Sequence, residues 1–204
     1  MSSSSHGLVL PVAQPAEGEG ALVLVVGPSG AGKDTLMDAA RAALAGDGRF
    51  AFVRRLITRP AMAGAEDHDS CAEAEFAAAE ARGELALSWR AHGLCYGIPA
   101  AALGGIARGQ VVIVNISRGE IPAAERLAPR SVVVNITAPN EVLAKRLAMR
   151  GRESEADIAA RLAREAPLRT ELAVLVAIQN DRSVAEAANE FVALLKGLSP
   201  LGVS

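Results

Sequence analysis

The chain has 204 residues, half of them hydrophobic and 3% aromatic, with a formal net charge of −2. That length and apolar content fit one globular domain with a sizeable core, and the near-neutral charge argues against nucleic acid or an anionic membrane surface as a partner. No apolar run reaches the roughly 18 residues needed to span a bilayer, and Cys71 and Cys95 match no metal or redox spacing, so reduced thiols in the cytoplasm are expected.

Residues 1–20 open Ser-rich, with no basic stretch or apolar core of a secretory signal, and carry Pro11, Pro15, Gly18 and Gly20. They are expected to be a flexible leader ahead of a single domain over 21–204. The apolar run 21–26 then leads into Gly27-Pro28-Ser29-Gly30-Ala31-Gly32-Lys33-Asp34-Thr35, followed by a helical pattern over 36–44. Strand, Gly-rich turn, Gly-Lys and helix form the context of a phosphate-binding P-loop. A helix N-terminus leaves backbone N–H groups unpaired and its dipole favours anions. The glycines allow close backbone approach, and Lys33 adds a point charge for the outer phosphates. The motif departs from its pattern at one position: the residue after Lys33, normally a Ser or Thr that holds Mg²⁺, is Asp34, with Thr35 one place on. Asp34 either supplies a carboxylate to the metal or caps the helix.

After a break at Gly46-Asp47-Gly48, residues 50–57 read as a second strand, 61–70 as a loop, 72–82 as a short helix and 85–89 as a strand. His92-Gly93 marks a turn, and Pro99 is well placed to start a helix running towards Arg108. The runs 111–114, 132–136 and 174–178 are continuous and β-branched, which predicts strands buried on both faces of a parallel sheet. Helical segments lie between them and a final helix covers 185–196, so the repeated β–α pattern predicts a doubly wound α/β fold. In such sheets ligands bind beyond the carboxyl ends of the strands. Two interruptions, over 58–98 and 146–165, are therefore placed to flank whatever the loop holds.

The second interruption is basic. Arg146 and Arg150 are one helical turn apart, Gly151 separates Arg150 from Arg152, and Arg161 and Arg164 follow. These side chains either form a solvated surface laced with Glu141, Glu153, Glu155 and Glu165 or close as a lid over a phosphate, and the P-loop favours the lid. Arg59 and Arg118 each follow a strand and are candidate clamps for an anionic second substrate, whereas Arg54 and Arg55 cannot both point into the crevice because strand side chains alternate. His68 and His92 fall in loops. There is no Ser-His-Asp ordering and no His/Cys cluster, and no acidic residue ends the run 111–114, where a Walker B carboxylate belongs.

Together these motifs resemble the guanylate kinase-like group of P-loop kinases. The resemblance rests on residues 27–33, Thr58-Arg59, Gly83-Glu84, Tyr96-Gly97-Ile98-Pro99, Arg150-Gly151-Arg152 and Asn180-Asp181, and covers most of the chain. Within that group the chain looks most like the ribose 1,5-bisphosphate phosphokinases of bacterial phosphonate degradation. That likeness rests on Gly32-Lys33-Asp34-Thr35, Ile57-Thr58-Arg59, Ala63-Gly64 with Glu66 and His68, residues 85–89, His92-Gly93-Leu94, Asn115 with Ser117-Arg118, and Arg150-Gly151-Arg152-Glu153. The resemblance implies transfer of the γ-phosphate of ATP, with Mg²⁺, to the 1-phosphate of ribose 1,5-bisphosphate, giving 5-phosphoribosyl 1-diphosphate and ADP. The chain departs from true guanylate kinases where those proteins read guanine and the nucleotide phosphate. No acidic residue falls in Leu87-Ser88-Trp89, Ile98 replaces a hydroxyl residue, and Met62 and Ala65 stand at an Arg and a Glu position.

On this resemblance, Gly27, Pro28, Ser29, Gly30, Ala31, Gly32, Lys33, Asp34 and Thr35 hold the ATP phosphates and Asn180 lies near the adenine. Arg150, Arg152 and Arg161 act with Lys33 on the γ-phosphate. Arg59, Tyr96, Ser117 and Arg118 hold the acceptor, with Glu66 or His68 on ribose hydroxyls and Asp34 at the metal. The implied partners are a small sugar phosphate and ATP, with no nucleic acid and no membrane; a homodimer stays open. The alternatives are a guanylate or other nucleoside monophosphate kinase, and a guanylate kinase-like module that binds proteins without catalysis.

Overall fold

Successive side chains in a strand point to opposite faces, so a continuous apolar run needs cover on both sides. The computed structural model, which describes residues 19–59, 68–149 and 167–199, supplies that cover. Its elements are β1 (Ala21–Val26), α1 (Lys33–Ala43), β2 (Phe50–Phe52), β3 (Arg55–Ile57), β4 (His68–Ser70), α2 (Glu73–Ala81), β5 (Leu85–Ala91), β6 (Leu94–Pro99), β7 (Val111–Asn115), α3 (Ile121–Ala124), β8 (Ser131–Thr137), α4 (Asn140–Met149), β9 (Val174–Gln179) and α5 (Val184–Leu198). Most of the leader, Glu66, and the lid arginines Arg150, Arg152 and Arg161 lie outside the described residues.

Five strands form a parallel sheet in the order β2-β7-β1-β8-β9, the doubly wound α/β arrangement that the sequence pattern predicts. Val23 and Val25 of β1 and Ile113 of β7 face one side, where they pack with Leu36 of α1 and with Phe191 and Leu195 of α5. Leu22, Leu24 and Val114 face the other side and meet Ile57, Trp89 and Ile98 from a second, four-stranded sheet of order β4-β3-β6-β5. The second sheet is the insertion over 58–98, extended backwards by β3.

Four details differ from expectation. The predicted strand 50–57 is two strands in two sheets: Val53 donates its N–H to the Ile113 carbonyl as the last bond to the main sheet, and the chain then crosses over so that β3 pairs antiparallel with β6. The run 174–178, expected to be buried on both faces, is an edge strand. One face packs on the core through Ile178, while Leu175 on the other is exposed among the described residues. Residues 100–108 wind as a 3₁₀ helix rather than an α-helix, with Gly104 and Gly105 in the middle lowering α propensity. His68, expected in a loop, opens β4 and is buried. No described helix is long and apolar enough to cross a membrane.

The approach to β9 is fixed by one carboxylate. Glu125, 1% exposed just after α3, accepts from the Thr170 hydroxyl at 2.8 Å and from the backbone N–H groups of Glu171, Leu172 and Ala173 at 3.1–3.3 Å. Burial pushes its pKa up, but these bonds outweigh burial and hold the group below its ordinary value of 4.5. A carboxylate held low contributes stability that is fully present above its ordinary range and is lost as pH falls through the lowered value. Glu125→Gln puts an N–H where an acceptor is needed. Chemical denaturation at neutral pH should show a loss of about 2 kcal/mol, narrowing against the native protein as the pH drops below the carboxylate range.

Candidate active site

The loop after β1 turns through conformations that favour glycine. Gly27 has φ +149° and Gly32 φ +84°. A Cβ at Gly27 would overlap the Ile136 carbonyl oxygen, and one at Gly32 would overlap the Asn180 amide. Gly32 caps α1, whose first helical bond runs from Leu36 N–H to the Gly32 carbonyl at 3.0 Å. The N–H groups of Lys33, Asp34 and Thr35 therefore have no intrahelical acceptor and point out of the helix end, where an anion is favoured. Lys33 folds across the loop, its Nζ donating to the carbonyls of Gly27 at 2.8 Å and Pro28 at 3.1 Å. Arg146 of α4 reaches the outside of the loop, Nη1 lying 3.5 Å from the Gly30 carbonyl.

Asn180, at the carboxyl end of β9, braces the loop from behind. It is 2% exposed, and its Nδ2 donates to the Ala31 carbonyl at 2.7 Å. The resemblance implies adenine contact for Asn180, but its amide nitrogen is engaged by the loop.

Beside the helix start lies a cleft lined by Asp34, Asp38, Arg41, Val53, Arg55 and Asn115. Asn115 ends β7, and its Nδ2 donates to Asp34 Oδ1 at 2.9 Å. Arg55, on β3, lies over one face of the Tyr96 ring at 5.6 Å, and the Tyr96 ring stacks on Trp89 with centroids 5.3 Å apart and planes 9° from parallel. This stack holds a cation at the cleft wall. Burial lowers the Arg55 pKa, Asp34 and Tyr96 oppose that shift, and Arg59 adds to it, so the guanidinium is tuned by groups on both sides of the cleft.

The fold thus brings the loop residues 27–35, Asn180 and Tyr96 towards one end of the sheet. Ser117 begins the turn after β7, and Arg118 Nη2 donates to Asn135 Oδ1 of β8 at 3.2 Å, beyond the same strand ends. Arg59 follows β3, half-buried. Of the adjacent pair, Arg54 turns to the surface, where it bonds the His68 carbonyl at 2.9 Å and pairs with Asp69 at 3.0 Å, while Arg55 turns into the cleft. His68 itself is 5% exposed. Sequence reasoning passed over Arg55 and Asn115 as site residues. Strand alternation was the available signal for Arg55, and the polar residue ending an apolar run was the signal for Asn115.

Among the described residues no group of three or more His, Cys, Asp or Glu could hold a metal by itself. Mg²⁺ seldom needs such a cage, since it keeps several waters and takes one or two carboxylates alongside substrate phosphates. Asp34 supplies a carboxylate, and Asn115 Oδ1 is a buried oxygen with no hydrogen-bond partner among the described residues. That donor set suits a hard cation.

No protein-family model matches the chain. It is 54% identical over 174 residues to ribose 1,5-bisphosphate phosphokinase PhnN of Brucella melitensis, covering 85% of this chain and 91% of that one. It is 52% identical over 177 residues to the protein of the same name from Methylobacterium radiotolerans, covering 87% and 98%. A bifunctional ribose 1,5-bisphosphokinase-thymidine phosphorylase of Cupriavidus pinatubonensis is 51% identical over 165 residues, which cover 81% of this chain and 27% of that longer protein. The solved guanylate kinase of Anaplasma phagocytophilum superposes with a TM-score of 0.62 at 18% identity, over 92% of this chain and 89% of that one, which supports the fold.

Asn180→Ala leaves the buried Ala31 carbonyl without its donor. The variant should lose about 1–3 kcal/mol in chemical denaturation and bind ATP more weakly in calorimetry; unchanged values in both would show that the brace is idle.

Proposed function

The chain belongs to the ribose 1,5-bisphosphate phosphokinase family, and from that premise we infer what its site does. It is a kinase that moves the γ-phosphate of ATP to the 1-phosphate of ribose 1,5-bisphosphate, giving 5-phosphoribosyl 1-diphosphate and ADP. The observation that carries this reading is a phosphate-holding loop at the sheet's carboxyl end, in a chain sharing more than half its aligned residues with PhnN relatives over nearly their whole length. Such an enzyme works where ATP is present, and we place it in the cytoplasm.

An oxygen of the acceptor 1-phosphate attacks the γ-phosphorus, the bond from that phosphorus to the β-bridging oxygen breaks, and ADP leaves with the electron pair. The acceptor phosphate is largely ionised at neutral pH, so no side chain needs to remove a proton. Catalysis is then mostly positioning and charge neutralisation. Backbone N–H groups of residues 29–34 and the Lys33 ammonium hold the donor phosphates, and Asp34, the carboxylate the loop itself carries, would hold Mg²⁺, which would supply charge neutralisation at the phosphates. Arg150, Arg152 and Arg161 are assigned to the γ-phosphate. Arg59, Ser117 and Arg118 are assigned to the acceptor, with Glu66 or His68 on its hydroxyls. Arg55 joins the acceptor cations, and Tyr96 acts as the platform that fixes it. We read Asn180 as a brace for the loop.

A nucleoside monophosphate kinase would hydrogen-bond a base, and such a site rejects analogues that leave its buried groups unpaired. Ser88, in the segment where guanylate kinases carry their base contact, donates instead to Glu80, which also pairs with Arg90. A coupled ADP-release assay should show turnover with ribose 1,5-bisphosphate and little with GMP; the reverse ranking would sink this reading. Lys33→Ala should lower kcat by at least about 10²–10³. Its half-exposed side chain bonds the loop carbonyls of Gly27 and Pro28, so Tm should move by no more than about 4 °C, and near-normal turnover would refute the role.

A further inference from the structure

In P-loop NTPases the magnesium ion is held by the hydroxyl that follows the loop lysine and by a carboxylate at the end of the neighbouring Walker B strand. Here the neighbouring strand is β7, which runs parallel to β1 with Asn115 opposite Val25, two residues before the loop begins. The position after Lys33 is Asp34, and the strand end is Asn115. The carboxylate has changed sides, while the pair's formal charge stays at −1.

The contact between the two explains why both positions differ. Asn115 Nδ2 donates to Asp34 Oδ1 at 2.9 Å. A carboxylate at 115 would face another across that distance, and two such groups cannot both stay ionised without cost. An amide is the oxygen-bearing side chain that can donate to Asp34 and still present an acceptor. Asn115 is 5% exposed, and its Oδ1 is buried with no hydrogen-bond partner among the described residues. An orphaned oxygen of this kind is expensive to bury unless a cation or donor meets it in the working complex. Both residues line the cleft that opens beside the helix start.

We propose that Asp34 and Asn115 form a transposed magnesium site, in which Asp34 is the carboxylate ligand and Asn115 is the residue that aims it and offers Oδ1 as a second oxygen. Carboxylate plus amide oxygen is a hard donor set suited to Mg²⁺ or Mn²⁺. The proposal rests on the kinase reading for the presence of ATP at the loop, and assigns to this chain's own residues the place of the usual hydroxyl and strand carboxylate. Arg55, held on the Tyr96 ring, lines the same cleft.

The test is Mn²⁺ binding to protein saturated with a non-hydrolysable ATP analogue, read by electron paramagnetic resonance rather than by turnover. Asp34→Ser should weaken Mn²⁺ binding at least about tenfold, and Asn115→Ala, which keeps the carboxylate, should also weaken it about tenfold. The double variant Asp34→Ser/Asn115→Asp rebuilds hydroxyl and strand carboxylate, and should recover most of the affinity that Asp34→Ser loses. Unchanged Mn²⁺ affinity in Asp34→Ser, with the melt intact, would overturn the proposal and leave Asp34 a first-turn charge on α1, whose cap is Gly32. A fall in Tm for Asn115→Ala without any change in Mn²⁺ affinity would make Asn115 structural and overturn its assignment. Should Asp34→Ser fail to fold, Asn115→Ala and Asp34→Asn carry the same comparison. Native protein that turns over no ribose 1,5-bisphosphate while the Mn²⁺ pattern holds would refute the substrate reading and leave the metal site standing.

Discussion

The site depends on bringing backbone N–H groups of a helix start against a polyanion without a side chain in between. That requirement dictates glycine at 27 and 32, where positive φ and the closeness of Ile136 and Asn180 leave no space for a Cβ. It also dictates the centre of the sheet: β1 must be rigid for the loop to hold its shape, and it is buried on both faces between α1 and α5 on one side and the second sheet on the other. Lys33 and Asn180 then hold the loop from two directions, one across its mouth and one behind it. Core packing and phosphate binding are in this sense one constraint.

The second sheet lays a cation beside the phosphate loop, where we assign the acceptor. By leaving the main sheet after Val53, the chain carries β3 across and sets Arg55 facing the α1 start. The Trp89–Tyr96 stack fixes this cation, using two of the few aromatic residues the chain has. The cleft beside the loop therefore presents a fixed guanidinium, a group suited to a phosphate.

The continuity of the apolar runs made the parallel sheet legible, because an unbroken apolar run at 21–26 or 111–114 has no stable home except between two layers. The P-loop was legible for a similar reason, since its residue types and spacing follow from its backbone geometry. The run 174–178 misled because composition reports that a strand is apolar and is silent on whether it lies at the edge. The break at Val53-Arg54 was hidden because a strand that changes sheets keeps its β-propensity. Asn115 and Arg55 were missed as site residues for a different reason: a single polar side chain acquires its role from a partner distant in sequence, here Asp34 for both. Motif reading registers Asp34 as a departure. Only its contact with Asn115 shows that the departure has a counterpart. Arg150, Arg152, Arg161 and Glu66 remain assignments by resemblance.

The central claim is that the 1-phosphate of a sugar bisphosphate, and not a hydroxyl or the phosphate of a nucleoside monophosphate, accepts the phosphoryl group. Phosphorus NMR of the native protein incubated with ATP·Mg²⁺ and ribose 1,5-bisphosphate tests it most directly. The account predicts that the 1-phosphate resonance of the acceptor is replaced by a mutually coupled diphosphate pair while the 5-phosphate resonance persists, with ADP formed in equal amount. An unchanged acceptor spectrum, alongside conversion of GMP to GDP under the same conditions, would contradict it.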